Sequence, residues 1–207
     1  MMLILGSQSP RRRELLEGLL PEGMLRIVPP QDADEPGFDG LTSVADIEQQ
    51  LLHIVELKLQ DVHNQLDAGE RQECCILCAD TIVVVQDGGK SVVLGKPPAG
   101  EWQPVVREWF RMFYSGTKHE VWSAVMLLSP GGAESLVVKT EVRMPELEDA
   151  VIDWYLNTGE PVGKAGGYGI QGQAAVLVEG LTGSLSNVIG LPVLEVRKLL
   201  TRAGVIQ

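Results

Sequence analysis

Three arginines in succession, Arg11-Arg12-Arg13, follow Ser7-Gln8-Ser9-Pro10 where a helix least favours cations. Ser9 suits an N-cap, Pro10 suits the first helical position, and Leu15, Leu16, Leu19 and Leu20 continue with helical spacing. A helix N-terminus offers unpaired N–H groups and partial positive charge, so each nearby cation is disfavoured by about 0.3–1 kcal/mol. A phosphate held by Ser7, the first-turn N–H groups and one or two guanidinium forks would resolve the conflict. Successive helical residues point about 100° apart, so three arginines cannot share one ligand, and Arg13 is expected to face solvent. The alternative is a solvated basic turn with no ligand.

Asp80 interrupts an otherwise apolar run, Cys75-Ile76-Leu77-Cys78-Ala79-Asp80-Thr81-Ile82-Val83-Val84-Val85. A carboxylate inside a buried strand is costly unless a cation, a metal or hydrogen-bond donors compensate it, so Asp80 reads as a catalytic base or metal ligand. The other reading is an Asp capping a local backbone kink beside Thr81. Gly95-Lys96-Pro97 sets a lysine just after a strand. Gly163-Lys164-Ala165-Gly166-Gly167-Tyr168-Gly169-Ile170-Gln171-Gly172 has the glycine content to wrap backbone around a ligand.

Other patterns fail on context. Gly167-x-Gly169-x-x-Gly172 matches the dinucleotide fingerprint, but that motif opens a helix after a strand, and here a strand is expected to follow. Gly89-Lys90-Ser91 resembles the end of a P-loop, yet Val84 stands where its first glycine belongs. On a strand, Cys75 and Cys78 face opposite sides and no second Cys or His pair sits at ligand spacing, which points to buried, reduced thiols. His53 and His63 fall on helical positions and read as structural. His119 precedes a strand and reads as a turn hydrogen bonder. No Ser-His-Asp arrangement is visible.

The chain has 17 Lys+Arg against 28 Asp+Glu, a formal net charge of -11. Such a molecule repels polyanions, which speaks against a nucleic-acid footprint and confines any phosphate site to a few converging cations. Its 207 residues, 44% hydrophobic, suffice for one domain or two closely joined lobes. The apolar run at Met1–Leu5 is too short for a signal peptide, no stretch approaches a membrane span, and three crowded cysteines are no disulfide framework. Cytoplasmic location is expected.

Elements alternate in the manner of an α/β domain. Strands are expected at Leu3–Leu5, Arg26–Val28, Cys75–Val85, Val92–Leu94, His119–Leu128, Leu136–Met144 and Ala174–Val178. Helices are expected from Ser9 towards Gly23, from Ser43 to near Gly69 carrying Lys58, through Glu101–Tyr114, Glu146–Leu156 and Leu191–Ala203. Asp32, Asp34 and Glu35 form an acidic group in the loop from Pro29 to Gly40.

Five separated segments, Ser7-x-Ser9-Pro10-Arg11-Arg12, Ala79-Asp80-Thr81, Gly95-Lys96-Pro97, Ser115-Gly116-x-x-His119 and Lys164 to Gly172, together with Ser186-Asn187-Val188-x-Gly190-Leu191-Pro192, resemble the Maf family of nucleoside triphosphate pyrophosphatases. The resemblance runs from Leu3 to about Leu200. It implies an α/β, two-lobed Maf/inosine-triphosphatase-like fold, residues 1–207 as one domain with a central mixed sheet and a nucleotide cleft. It also implies cytoplasmic homodimers, a divalent cation (Mg or Mn), and hydrolysis of a nucleoside triphosphate to the monophosphate and diphosphate. By the same resemblance Asp80 is the proton acceptor, Arg11, Thr81 and Gln171 select the base, and Lys58, Lys96 and Arg12 bind phosphate. Ser7 and Lys164 complete the substrate site, and Glu35, with Asp80, is the acidic partner for metal. The Lys-Ala-Gly-x-Tyr-x-Ile-Gln-Gly form is similar to the branch acting on dTTP and UTP rather than 7-methyl-GTP. Gly163, where an acidic residue is common, Leu59, Ser123 and a longer Asp67–Cys74 segment depart from the pattern. Outside this reading stand a non-hydrolytic nucleotide-binding regulator of cell division and a pyrophosphatase for another modified nucleoside triphosphate such as 7-methyl-GTP.

Overall fold

The long strand β3 (Cys74–Asp87) organises the molecule. A computed structural model describes residues 1–31 and 35–207; Asp32 and Asp34 of the expected acidic group lie outside the described residues. The first half of β3 pairs in parallel with β1 (Met2–Gly6), ending at Gly6 opposite Cys78. Its last residues pair antiparallel with β4 (Lys90–Leu94), beginning at Val83 opposite Leu94. Between these contacts Ala79, Asp80, Thr81 and Ile82 have no strand partner on that edge among the described residues. Along the other edge β5 (Lys118–Ser129) runs unbroken from Ile76 to Val84. The sheet therefore has a notch where one neighbour leaves and another arrives, the kind of switch point at which ligands enter α/β sheets.

The remaining strands are β2 (Leu25–Ile27), β6 (Gly132–Arg143) and β7 (Gly180–Thr182), giving the order β2-β1-β3-β5-β6-β7 with β4 beside β3. Parallel pairs at β2-β1-β3 and antiparallel pairs elsewhere make this a mixed central sheet. Alternate residues of β3 face opposite sides. Ile76, Cys78, Ile82 and Val84 pack under α2 (Val44–Gln65), whose Ile47, Leu51, Val55, Leu59 and Val62 form its apolar stripe. The other face is covered by two separate cores. One joins Leu3, Leu5 and Ala79 to α1 (Pro10–Glu17) and the C-terminal helix; the other joins Val83 and Val85 to Phe110, Tyr114, Tyr155 and Tyr168. Cys75 and Cys78 lie in different cores, both buried and free, as their spacing implies.

Several boundaries differ from the sequence expectation. α1 stops at Glu17, capped by Gly18, and Gly23 instead turns the chain into β2. α2 ends at Gln65, because Asp67 starts a separate helix, α3 (Ala68–Glu73), with a reciprocal capping box to Glu70. The helix expected at Glu101 is α4 (Trp102–Trp109), continued by a π-helical turn over Phe110–Tyr114. α5 spans Asp149–Asn157. Ala174–Val178, expected as a strand, falls largely in a 3-10 turn, Gln173–Leu177, and the strand is β7 a few residues on. Its first amides are capped by Glu160, which holds Gln173 N–H at 2.6 Å and Ala174 N–H at 3.3 Å. The C-terminal helix expected at Leu191–Ala203 is α7 (Val193–Arg202), and a short helix that was not expected, α6 (Leu185–Ile189), precedes it across Gly190-Leu191-Pro192. Among the described residues no helix is long and apolar enough to cross a membrane.

Candidate active site

Every residue singled out from the sequence for substrate or metal lines one cleft of about 580 Å³, which opens at the notch in β3. α1 enters it by its N-terminus: Ser9 caps the helix by accepting Arg12 N–H at 3.4 Å, and Ser7 Oγ accepts Ser9 N–H at 3.1 Å. Arg11, half-buried on the cleft wall, makes no hydrogen bond or ion pair among the described residues. Arg13 faces solvent and pairs with Glu17 at 2.7 Å, so the three arginines divide as helical geometry requires.

Arg12, expected to bind phosphate, is already engaged by the protein. Its Nε donates to Gly190 C=O at 2.9 Å, Nη1 to Ala79 C=O at 2.7 Å and to Ser7 Oγ at 3.3 Å, and Nη2 to Thr81 Oγ1 at 3.1 Å. Four of its five N–H groups are thus committed to the protein. Ala79 C=O needs this donor because no strand pairs with it at the notch. Burial lowers the Arg12 pKa, and the Asp80 carboxylate opposes that shift. Thr81 is similarly engaged: its hydroxyl lies 2.8 Å from Ser123 Oγ and 3.3 Å from Gly190 C=O. Together these bonds tie α1, β3 and the α6–α7 break into one frame under the cleft.

Asp80 and Thr81, adjacent on a strand, face opposite sides of the sheet. Asp80 turns towards α2, where Lys58 Nζ lies 2.6 Å from its Oδ1 and 3.0 Å from Glu35 Oε1. A lysine only 12% exposed thus bridges two carboxylates, which is the compensation a carboxylate in a core strand requires. Asp80 Oδ2 has no hydrogen-bond partner among the described residues. Lys96 leaves the end of β4 exposed at the rim, with no ion pair among the described residues.

Asp80 and Glu35 also answer whether the site suits a metal. Their oxygens are hard donors appropriate to Mg²⁺ or Mn²⁺, and the lysine ammonium already seated between them is a stand-in cation. Among the described residues no group of three or more His, Cys, Asp or Glu side chains converges. Such an ion would complete its shell from water and substrate phosphates, as Mg²⁺ commonly does.

The glycine-rich loop supplies the opposite wall. Lys164 Nζ donates back to Glu160 C=O; burial lowers its pKa, Glu160 raises it and the Arg11 charge lowers it further. Gln171 is exposed at the cleft edge. The loop follows α5 and a turn rather than a strand, so the dinucleotide reading fails on that ground, although a 3-10 turn follows it and not the expected strand. Two partners escaped sequence reasoning. Glu160 ties both ends of the loop, a role visible only once Gln173 and Lys164 are placed beside it. Gly190 acts through its carbonyl, which no side-chain pattern announces.

His119 is likewise not a turn hydrogen bonder. It opens β5, 2% exposed, with Nε2 2.8 Å from Tyr168 Oη.

The family described as Maf-like protein matches residues 2–203. The chain is 42% identical over 207 residues to the dTTP/UTP pyrophosphatase of Anaeromyxobacter dehalogenans, with 98% of this chain and 94% of that protein covered. It is 39% identical to the dTTP/UTP pyrophosphatase of Bordetella parapertussis, covering 98% and 93%. It is 36% identical to that of Thermococcus kodakarensis, covering 96% and 95%. A solved nucleoside-triphosphatase / dITP/XTP pyrophosphatase from Mycobacterium abscessus superposes with a TM-score of 0.39 at 15% identity over 70% of this chain and 74% of that one, too low a likeness to add to these.

Proposed function

The chain belongs to the Maf-like protein family, and from that membership we propose that it hydrolyses dTTP and UTP to the nucleoside monophosphate and diphosphate. One observation carries the reading: a chain of net charge -11 concentrates Arg11, Arg12, Lys58, Lys96 and Lys164 around one cleft whose acidic lining, among the described residues, is Glu35 and Asp80. Local inversion of charge on an acidic protein suits a small polyanion and excludes a long one.

In this reading the triphosphate lies among Arg11, Lys96 and Lys164, with Ser7 and the first-turn N–H groups of α1 completing the anion site. Water attacks the α-phosphorus; the new O–P bond forms as the bond to the β-phosphate oxygen breaks, and the water proton passes to Asp80 Oδ2. Lys58 holds Oδ1, which fixes the carboxylate and leaves Oδ2 for the water. Glu35 and Asp80 would hold a divalent cation, which when bound offsets phosphate charge and favours deprotonation of water. Arg12 and Thr81 keep Asp80 in register, and the Gln171 amide, donor and acceptor together, pairs with the pyrimidine edge. The same reading takes residues 1–207 as one two-lobed domain in the cytoplasm, working as a homodimer; a monomer mass in light scattering would exclude the dimer.

A pyrophosphate-release screen over dTTP, UTP and 7-methyl-GTP with Mg²⁺ or Mn²⁺ tests it. Release from the two pyrimidine nucleotides, abolished in Asp80→Asn while nucleotide binding persists, is the expected result. Turnover of 7-methyl-GTP alone would overturn the substrate assignment. Binding with no turnover of any nucleotide would favour the regulator instead.

A further inference from the structure

The glycine-rich loop faces the cleft on one side and a buried aromatic layer on the other. Three successive residues are fastened from behind. Tyr114 Oη donates to Gly166 C=O at 2.7 Å, and Tyr155 Oη lies 3.4 Å from Gly167 C=O and 3.1 Å from Glu160 Oε1. The third, Tyr168, has its hydroxyl 2.8 Å from His119 Nε2. The rings interlock: Tyr114 and His119 centroids are 4.4 Å apart, and Tyr168 meets both edge-on at 5.6 and 5.4 Å.

The backbone in front of this layer has no slack. Gly166 and Gly167 adopt φ of 67° and 70°, and a Cβ on Gly166 would come within 2.6 Å of Tyr114 Oη and Val83 Cγ2. One on Gly167 would meet Val106 Cγ1 at 2.9 Å. The chain is drawn onto the layer as closely as glycine permits, so a small shift of an anchor moves the cleft-facing residues Lys164, Ile170 and Gln171 with it. His119 has no contact with the cleft, which Tyr168 lines. Its Nδ1 is buried without a hydrogen-bond partner among the described residues, where its hydrogen bonding is spent on Tyr168.

We propose that His119 is a positioning residue for nucleotide binding: through its hydrogen bond to Tyr168 it sets the cleft-facing conformation of the Lys164–Gly172 loop without touching the nucleotide. This rests on the pyrophosphatase reading for its kinetic arm, and on the loop alone for its second.

A double-mutant cycle tests it with His119→Leu, Tyr168→Phe and the pair combined. Each single change strands one buried polar partner, whereas the pair removes both, which restores much of what either loses. Each single variant is expected to raise KM for dTTP about fivefold with kcat within about twofold, and the double variant to return towards wild type. His119→Gln, which keeps a group for the tyrosine, is expected to stay near wild-type KM. In parallel, hydrogen exchange at the Gly166, Gly167 and Gly172 amides, bonded to Gly95, Lys164 and Gly169 carbonyls, is expected to accelerate in the single variants and slow again in the double. Additive effects in the cycle, or kcat falling with KM unchanged, would overturn the proposal. If wild type hydrolyses no nucleotide, the pyrophosphatase reading fails, while the exchange measurement still decides on the anchor: unchanged exchange in Tyr168→Phe refutes it.

Discussion

Acidification should cost this protein stability through His119 in a calculable way. Burial pushes its pKa down from 6.5 to about 3, and no charged neighbour contributes to that shift. The groups packed on it are the rings of Tyr114 and Tyr168, with Val142 opposite on β6. In the unfolded chain the imidazole takes a proton near pH 6.5; in the folded chain it stays neutral to about pH 3. Between those limits the unfolded state binds more protons, so folding stability falls as pH falls, while above about pH 7 the group has no effect. At pH 5 the loss relative to pH 7.5 is about 2 kcal/mol, set almost wholly by the unfolded pKa. Urea unfolding of wild type and His119→Gln at pH 7.5 and 5.0 isolates this contribution, since the other groups titrate in both proteins. Wild type should lose about 2 kcal/mol more than the variant over that interval. A difference below about 0.5 kcal/mol would show that the folded imidazole accepts a proton, and that its burial against the two tyrosines has been misjudged.

Asp80→Asn is expected to lower pyrophosphate release by about 10²–10⁴-fold, with nucleotide affinity by calorimetry unchanged within a few-fold; release at wild-type rate would remove Asp80 as the proton acceptor. Arg11→Ala and Lys96→Ala, which break no hydrogen bond within the described residues, should each raise KM about tenfold with unchanged unfolding midpoints. Arg12→Lys should instead lose about 2–3 kcal/mol in urea unfolding, because an ammonium cannot span Gly190, Ala79 and Thr81 together; a variant as stable as wild type, defective only in KM, would restore Arg12 as a phosphate ligand. Gly166→Ala should cost about 1–3 kcal/mol from its positive φ and the contact with Val83 and Tyr114, read as a lowered denaturation midpoint.

What the sequence made legible was local. Ser9-Pro10 announced the α1 start because capping is written in adjacent residues, and Asp80 stood out because one carboxylate in an apolar run is rare. Ends and short runs were less readable. Ala174–Val178 has the apolar character of a strand, but five residues do not separate strand from turn, and the carboxylate that caps it, Glu160, is thirteen residues upstream of Gln173. The end of α2 was overrun because Asp67, which restarts a helix, reads equally as one more polar position on the same face. Arg12 could be assigned a charge but not a task. Its partners Ala79 and Gly190 offer carbonyls, which every residue possesses, and nothing but the fold shows that these two are left without strand partners.

The notch in β3 explains why those carbonyls are free and why the site is built there. A continuous sheet would cover Ala79 and Thr81 on both edges and bury Asp80 with no route for water. Ending β1 at Gly6 and starting β4 at Leu94 exposes four residues of a core strand on one edge while β5 keeps them aligned on the other. The carboxylate is therefore held as rigidly as a core residue yet reached from solvent. The cost of the opening, an unpaired carbonyl and a half-buried carboxylate, is met by one cation on each face: Arg12 from α1 for Ala79, Lys58 from α2 for Asp80. The two helices that bring these cations to the cleft are thus the same two that make the break in the sheet tolerable, so losing either cation should disturb fold and site together. Arg11 and Lys96, which make no hydrogen bond or ion pair among the described residues, are the cations that the proposed reading leaves wholly to the nucleotide.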